Sequence, residues 1–65
     1  MRLIINGDVQ IVAVATLAQL LKVLDHEGSW LATAVNGELV HRDDREGHAL
    51  RDDDRIEILT PMQGG

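Results

Sequence analysis

One stretch of this sequence repeats its apolar residues at the spacing of a helix. Leu17, Leu20, Leu21 and Leu24 fall at i, i+3, i+4 and i+7, which lines them along one helical face. Thr16-Leu17-Ala18-Gln19 fits a capping box, with the Thr16 hydroxyl accepting from an early backbone N–H and Gln19 reaching back. Gln19, Lys22 and Asp25 fall mostly off the stripe, and Gly28 is the expected stop, free to take a left-handed conformation. A single helix of about three turns can cover one face of one sheet. The remaining apolar residues must therefore be buried by strands, in a two-layer α+β arrangement.

The strands are bounded by turn residues. Arg2 to Asn6 reads as a strand that runs into Asn6-Gly7, a strong hairpin dipeptide. Val9 to Val12 returns from it, so a hairpin across Asn6-Gly7-Asp8 is expected. Ala32 to Asn36 reads as a third strand, closed by a second Asn-Gly at Asn36-Gly37, with Glu38 to His41 returning. Residues 42–49 are polar and too short for more than one helical turn or a loop, and Asp52-Asp53-Asp54 marks a turn. Arg55 to Thr60 is the last strand, ended by Pro61, which cannot donate to a ladder. Alternation sets Leu3, Ile5, Ile56 and Ile58 on the core side, and Ile4, Ala34, Glu57 and Leu59 on the other. The expected core is Leu3, Ile5, Ile11, Leu17, Leu20, Leu21, Leu24, Val35, Val40, Leu50, Ile56 and Ile58. Residues 1–60 form one domain in this reading and 61–65 a flexible tail.

Composition narrows the functions open to such a fold. The chain has 65 residues and a net charge of −5, which argues against a nucleic-acid backbone or an anionic membrane as partner. It contains no Cys, Phe or Tyr and one Trp, so thiol chemistry is excluded and base stacking on aromatics is not expected. No apolar run approaches a membrane span, and the N-terminus lacks a signal-peptide pattern. A cytoplasmic location is the expectation. A chain this small rarely encloses a substrate cavity, so a carrier or binding protein is favoured over a self-sufficient enzyme. His26, His41 and His48 lack metal-ligand spacing. The Asp52-Asp53-Asp54 run lacks the ligand pattern of a calcium loop, and Asp43-Asp44-Arg45-Glu46 reads as a solvated loop. Trp30 is expected to cap one end of the helix layer.

The element order and the final Gly64-Gly65 together resemble the β-grasp, ubiquitin-like fold: a mixed four- to five-stranded sheet with one main helix on one face. More narrowly, the chain resembles the ThiS family of sulfur carrier proteins of thiamine biosynthesis. The resemblance is carried by Leu3-Ile4-Ile5-Asn6-Gly7, by Thr16-Leu17 with Leu20-Leu21, and by Ala34-Val35-Asn36-Gly37-Glu38. It continues through Asp54-Arg55-Ile56-Glu57-Ile58 and the tail Pro61-Met62-Gln63-Gly64-Gly65. Asp53 stands where the family often has Gly, and His41 where many members have Pro. Asp tolerates a positive φ better than most residues, so the turn is expected to survive.

The resemblance implies a chemistry for the chain end. Gly65 would be the covalent acceptor, its carboxylate adenylated and then converted to a thiocarboxylate. The enzyme responsible would be an E1-like adenylyltransferase (ThiF-type), with ATP and Mg²⁺ bound by that enzyme and no cofactor bound here. The sulfur would pass to a thiazole synthase (ThiG-type). Gly64, Gln63 and Met62 would thread the tail into the partner, since glycine backbone enters a channel that side chains would block. The four residues from Met62 reach ~13–14 Å when extended. Ile4, Ala34, Leu59 and Glu57 are the candidate docking residues on the sheet face away from the helix, with Ile4, Leu59 and Ala34 expected to form one apolar patch, and the free chain is expected to be a monomer. A sibling carrier, the small subunit of molybdopterin synthase, shares fold, tail and chemistry but is usually longer, with Phe- and Pro-rich segments before the glycines. A ubiquitin-like interaction module would not need the terminal glycines, and a modifier conjugated to lysines stays open.

Overall fold

The computed structural model of the chain describes residues 1–26 and 31–60. Gly28 as helix stop, Trp30 as cap and Pro61 as strand terminator lie outside those residues. Five strands form one mixed sheet: β1 (Arg2–Ile5), β2 (Asp8–Ile11), β3 (Ala32–Val35), β4 (Glu38–Val40) and β5 (Arg55–Leu59). Their spatial order is β2-β1-β5-β3-β4. β1 and β5 run parallel, and the other neighbours are antiparallel. The last strand of the chain is therefore the middle strand of the sheet. The helix α1 (Leu17–Val23) buries Leu17, Leu20 and Leu21 in one cluster with Leu3, Ile5, Val35, Ile56 and Ile58. Among the described residues no helix is long and apolar enough to cross a membrane.

Both hairpins turn on Asn-Gly. Asn6 and Gly7 have φ of 49° and 87°, and Asn36 and Gly37 have 52° and 85°, the paired positive values of a two-residue I′ turn. The first turn is thus shorter than the three-residue Asn6-Gly7-Asp8 turn expected, and Asp8 already pairs with Ile5. The difference corrects the expected core. A three-residue turn would set Ile11 opposite Leu3, in the core; the two-residue turn sets it opposite Arg2, and Ile11 is 73% exposed. A one-residue change in pairing exchanges the faces of a strand. Leu24 is half-buried against the core rather than within it, and Leu31 completes the buried cluster.

The helix spans seven residues, about two turns, and is shorter than expected. Its end is built by Asp25 at φ 60°. The Asp25 and His26 amides donate to Lys22 O at 3.1 Å and Leu21 O at 2.8 Å, a Schellman closure made by aspartate instead of glycine. Its start is closed by a distant segment. Leu17 N donates to His48 O at 3.0 Å and Ala18 N to Arg45 O at 3.1 Å, while Gln19 N donates to Thr16 Oγ1 at 3.3 Å. Gln19 Oε1 accepts from Ala15 N at 2.8 Å, one residue before the amide of an ideal box. All three first amides of α1 are thereby satisfied.

That segment corrects a second expectation. Arg42–Asp44 forms a 3₁₀ turn, and Arg45, read as part of a solvated loop, is buried. Its guanidinium donates to Thr33 Oγ1 at 3.2 Å and Leu31 O at 2.6 Å, and Thr33 in turn donates to Val40 O at 2.9 Å. The polar group is carried inward because the end of β3 supplies oxygen acceptors there.

Candidate docking surface

Among the described residues, α1 packs on one face of the sheet and the other face is left open. In β5, Ile56 and Ile58 point into the core and Arg55, Glu57 and Leu59 point away. The pairing places the rest of that outer face. Ile4 lies beside Arg55 and opposite Val9, Ala34 lies between Glu57 and Leu39, and Ala32 beside Leu59. All four candidate docking residues, Ile4, Ala34, Glu57 and Leu59, thus stand on the face away from α1. Leu59 is 64% exposed, whereas Ile4 and Ala34 are half-buried.

They do not merge into one apolar patch. Arg55 is the neighbour of Ile4, and Leu59 is four residues further along β5, about 13 Å at strand spacing. The face divides into two apolar parts across the polar centre of β5. One holds Leu59, Ala32, Ala34 and Leu39 and adjoins the end of β5. The other holds Ile4, Val9 and Ile11 and reaches the β2 edge. Leu39, Val9, Ile11 and Ala32 were not among the expected docking residues, and they are legible only once the hairpin registers are known. Arg2, Arg55 and Glu57 are the charged strand residues of this face, so it is less acidic than the chain, whose net charge is −5.

The strand that leads to the tail is held by side chains as well as by its ladder. Asn6 accepts from Ile58 N through Oδ1 at 2.9 Å and donates to Ile58 O through Nδ2 at 3.2 Å. At the other end of β5, Asn36 accepts from Arg55 N through Oδ1 at 3.0 Å and donates to Asp54 Oδ1 at 3.0 Å. The acidic turn is an ordered lock on β1. Arg2 N donates to Asp52 Oδ1 at 2.9 Å, and the Arg2 side chain to Asp53 Oδ1 at 2.7 Å. Asp54 accepts from Arg51 N at 2.9 Å. Those carboxylates are engaged in closing the turn. Among the described residues no three His, Asp or Glu side chains come together as a metal site requires.

An open groove of about 540 Å³ runs between β4 and residues 44–54, lined by Val35, Leu39, Val40, Asp44, His48 and Arg51 among others. It also touches Asn36 and Asp54, which flank the start of β5, the end remote from Leu59. Met62, Gln63, Gly64 and Gly65 lie outside the described residues.

Comparison with known proteins gives one consistent family. The model of the ThiS family matches residues 3–65. No curated protein matches. A crystal structure of the thiamine biosynthesis protein ThiS from Geobacter metallireducens is 29% identical, with a TM-score of 0.83 and full coverage of both chains. A solution structure of a thiamine biosynthesis protein from the same organism is also 29% identical, with a TM-score of 0.84 over all of this chain and 88% of that one.

Proposed function

Because this chain belongs to the ThiS family, we propose that it is a sulfur carrier of thiamine biosynthesis, a protein co-substrate whose reacting group is the carboxylate of Gly65. The observation that carries the reading is the family match over residues 3–65, which takes in Gly64-Gly65. A carboxylate is a poor electrophile. In the proposed cycle its oxygen attacks the α-phosphorus of ATP on an E1-like, ThiF-type enzyme, and pyrophosphate leaves. A sulfur nucleophile at the oxidation level of hydrosulfide then attacks the acyl carbon. The new C–S bond replaces the C–O bond to AMP, AMP leaves, and a thiocarboxylate remains at Gly65. A ThiG-type thiazole synthase takes the sulfur. ATP, Mg²⁺ and the acid–base groups belong to the partners.

Docking in this reading uses the outer sheet face nearest the tail, with Leu59, Ala34 and Ala32 as apolar contacts and Glu57 beside them. Ile4 contributes from across Arg55. An apolar patch ringed by charge supplies both burial and orientation in a transient complex.

The test is an intact mass. Incubation with an activating enzyme, ATP and sulfide is expected to add about 16 Da, sulfur replacing oxygen in the activated acyl group, and fragmentation is expected to map it to Gly65. An added mass on an internal residue, or none under conditions that charge another family member, overturns the reading.

A further inference from the structure

We infer that Asn6 is a positioning residue, whose side-chain amide fixes where the C-terminal strand leaves the sheet. The inference rests on the proposed carrier reading for its use, and on the geometry alone for the clamp.

β5 is the middle strand, so both its sides need partners. Its odd residues bond toward β3; Asn36 N, for example, donates to Arg55 O at 2.7 Å. Its even residues bond toward β1: Asn6 N donates to Ile56 O at 2.9 Å. The next rung on that side would require β1 to continue beside Ile58. It cannot, because the chain reverses at Asn6-Gly7 and Asp8 pairs back onto Ile5. Both backbone groups of Ile58 would be left facing an absent strand. The Asn6 amide replaces that strand, with Oδ1 taking the Ile58 N–H at 2.9 Å and Nδ2 donating to its carbonyl at 3.2 Å. These bonds join residues 52 apart in sequence.

The turn does not by itself demand an amide. A φ of 49° suits Asn, Asp or Gly. Only Asn offers an acceptor and a donor together: Asp lacks the donor, and Gly lacks both. The side chain is therefore selected by Ile58, two residues before the last described residue. Without the clamp, the end of β5 is held from the β3 side alone, at Leu59 opposite Ala32, and the chain beyond it starts from a wider range of directions. A partner that receives the tail then meets a competent geometry less often, which raises the apparent dissociation constant in inverse proportion to the competent fraction.

Asn6→Gly keeps the turn and removes the amide, and Asn6→Asp keeps shape and acceptor. Asn36→Gly is the control, since it releases the same strand at its far end. In the free protein, Asn6→Gly is expected to speed amide exchange at Ile58 by about tenfold, and Asn36→Gly at Arg55 instead, the change that roughly 1.4 kcal/mol of local opening produces. Asn6→Asp falls between wild type and Asn6→Gly. With the activating enzyme, Asn6→Gly is expected to raise the KM for this chain several-fold while kcat is retained, and Asn36→Gly, compared at equal fraction folded, to leave KM unchanged. Unaltered Ile58 exchange in Asn6→Gly overturns the inference, as does an equal rise in KM in both glycine variants. A wild-type chain that is not adenylated counts against the proposed function, and the exchange comparison then decides the clamp alone.

Discussion

Asp53 sits at φ 69°, where the related family often carries glycine. Its backbone N–H donates to Arg2 O at 2.6 Å, so the left-handed conformation is what brings the turn onto β1. Its carboxylate also pairs with Arg2 at 2.7 Å, with both side chains more than half exposed. An exposed pair of this kind contributes ~0–1 kcal/mol, while a left-handed conformation costs a residue with an ordinary side chain roughly 1–2 kcal/mol. The backbone term is the larger. Asp53→Gly releases that strain while losing the pair and some chain stiffness, so it is expected to be neutral to stabilising by up to about 1 kcal/mol. Asp53→Ala loses the ion pair and is less tolerant of this conformation than Asp, so it is expected to cost about 1 kcal/mol or more. Urea denaturation of the two variants checks this, and an alanine variant as stable as the glycine one would show that the turn can relax. The same stereochemistry makes Asn6 and Asn36 legible in the sequence, because an Asn-Gly between aliphatic runs has few other uses.

At the scale of elements, register decides which residues meet a partner. Ile58 is 5% exposed and Leu59 is 64% exposed, although they are adjacent aliphatic residues of similar size. Ile58→Asp would bury a carboxylate between Ile56 and its cross-strand neighbour Thr33, where the Arg45 guanidinium is already engaged by Thr33 and Leu31, at a cost on the order of 3 kcal/mol or more. In so small a domain that is expected to unfold the chain, read as loss of the native circular dichroism. Leu59→Asp is expected to leave the fold intact and to weaken the complex with the activating enzyme, because a charge would be desolvated against an apolar surface. The reverse outcome would mean that β5 is shifted by one residue. Alternation along β5 was enough to place these two residues from the sequence. Ile11 was not placed, because its face depends on a turn of two residues rather than three. The helix end was missed for a local reason: Asp25, His26 and Glu27 are polar and two of them are weak helix formers, and Asp25 can take the left-handed conformation as Gly28 can. Arg45 was missed for a non-local one, since its acceptors lie on Thr33 and Leu31 and a run of charges carries no trace of them.

For the molecule as a whole, stability and proposed chemistry lie in different parts of the chain. The buried cluster is drawn from Leu3 to Ile58, whereas the proposed acceptor is Gly65. Such a division lets the body be tuned for packing while the end is tuned for a partner's active site. The sheet order strengthens the connection between them, because the strand that precedes the tail is the middle one, held by β1, β3 and two asparagine side chains. A glycine before the acceptor has a specific use in the proposed cycle: it presents backbone alone to a narrow channel. Gly64→Val adds a β-branched side chain there, six residues beyond Ile58, the last member of the buried cluster among the described residues. On the reading of residues 61–65 as a tail, its melting temperature is expected to match wild type, within what about 0.5 kcal/mol produces. Adenylation by the activating enzyme, followed as pyrophosphate release, is expected to fall by about a hundredfold, the loss that misplacing a reacting group by about 1 Å can produce. A folded Gly64→Val chain that releases pyrophosphate at the wild-type rate would place the reacting end elsewhere. An unfolded one would show that the tail belongs to the body, and the division of labour would fail on that result.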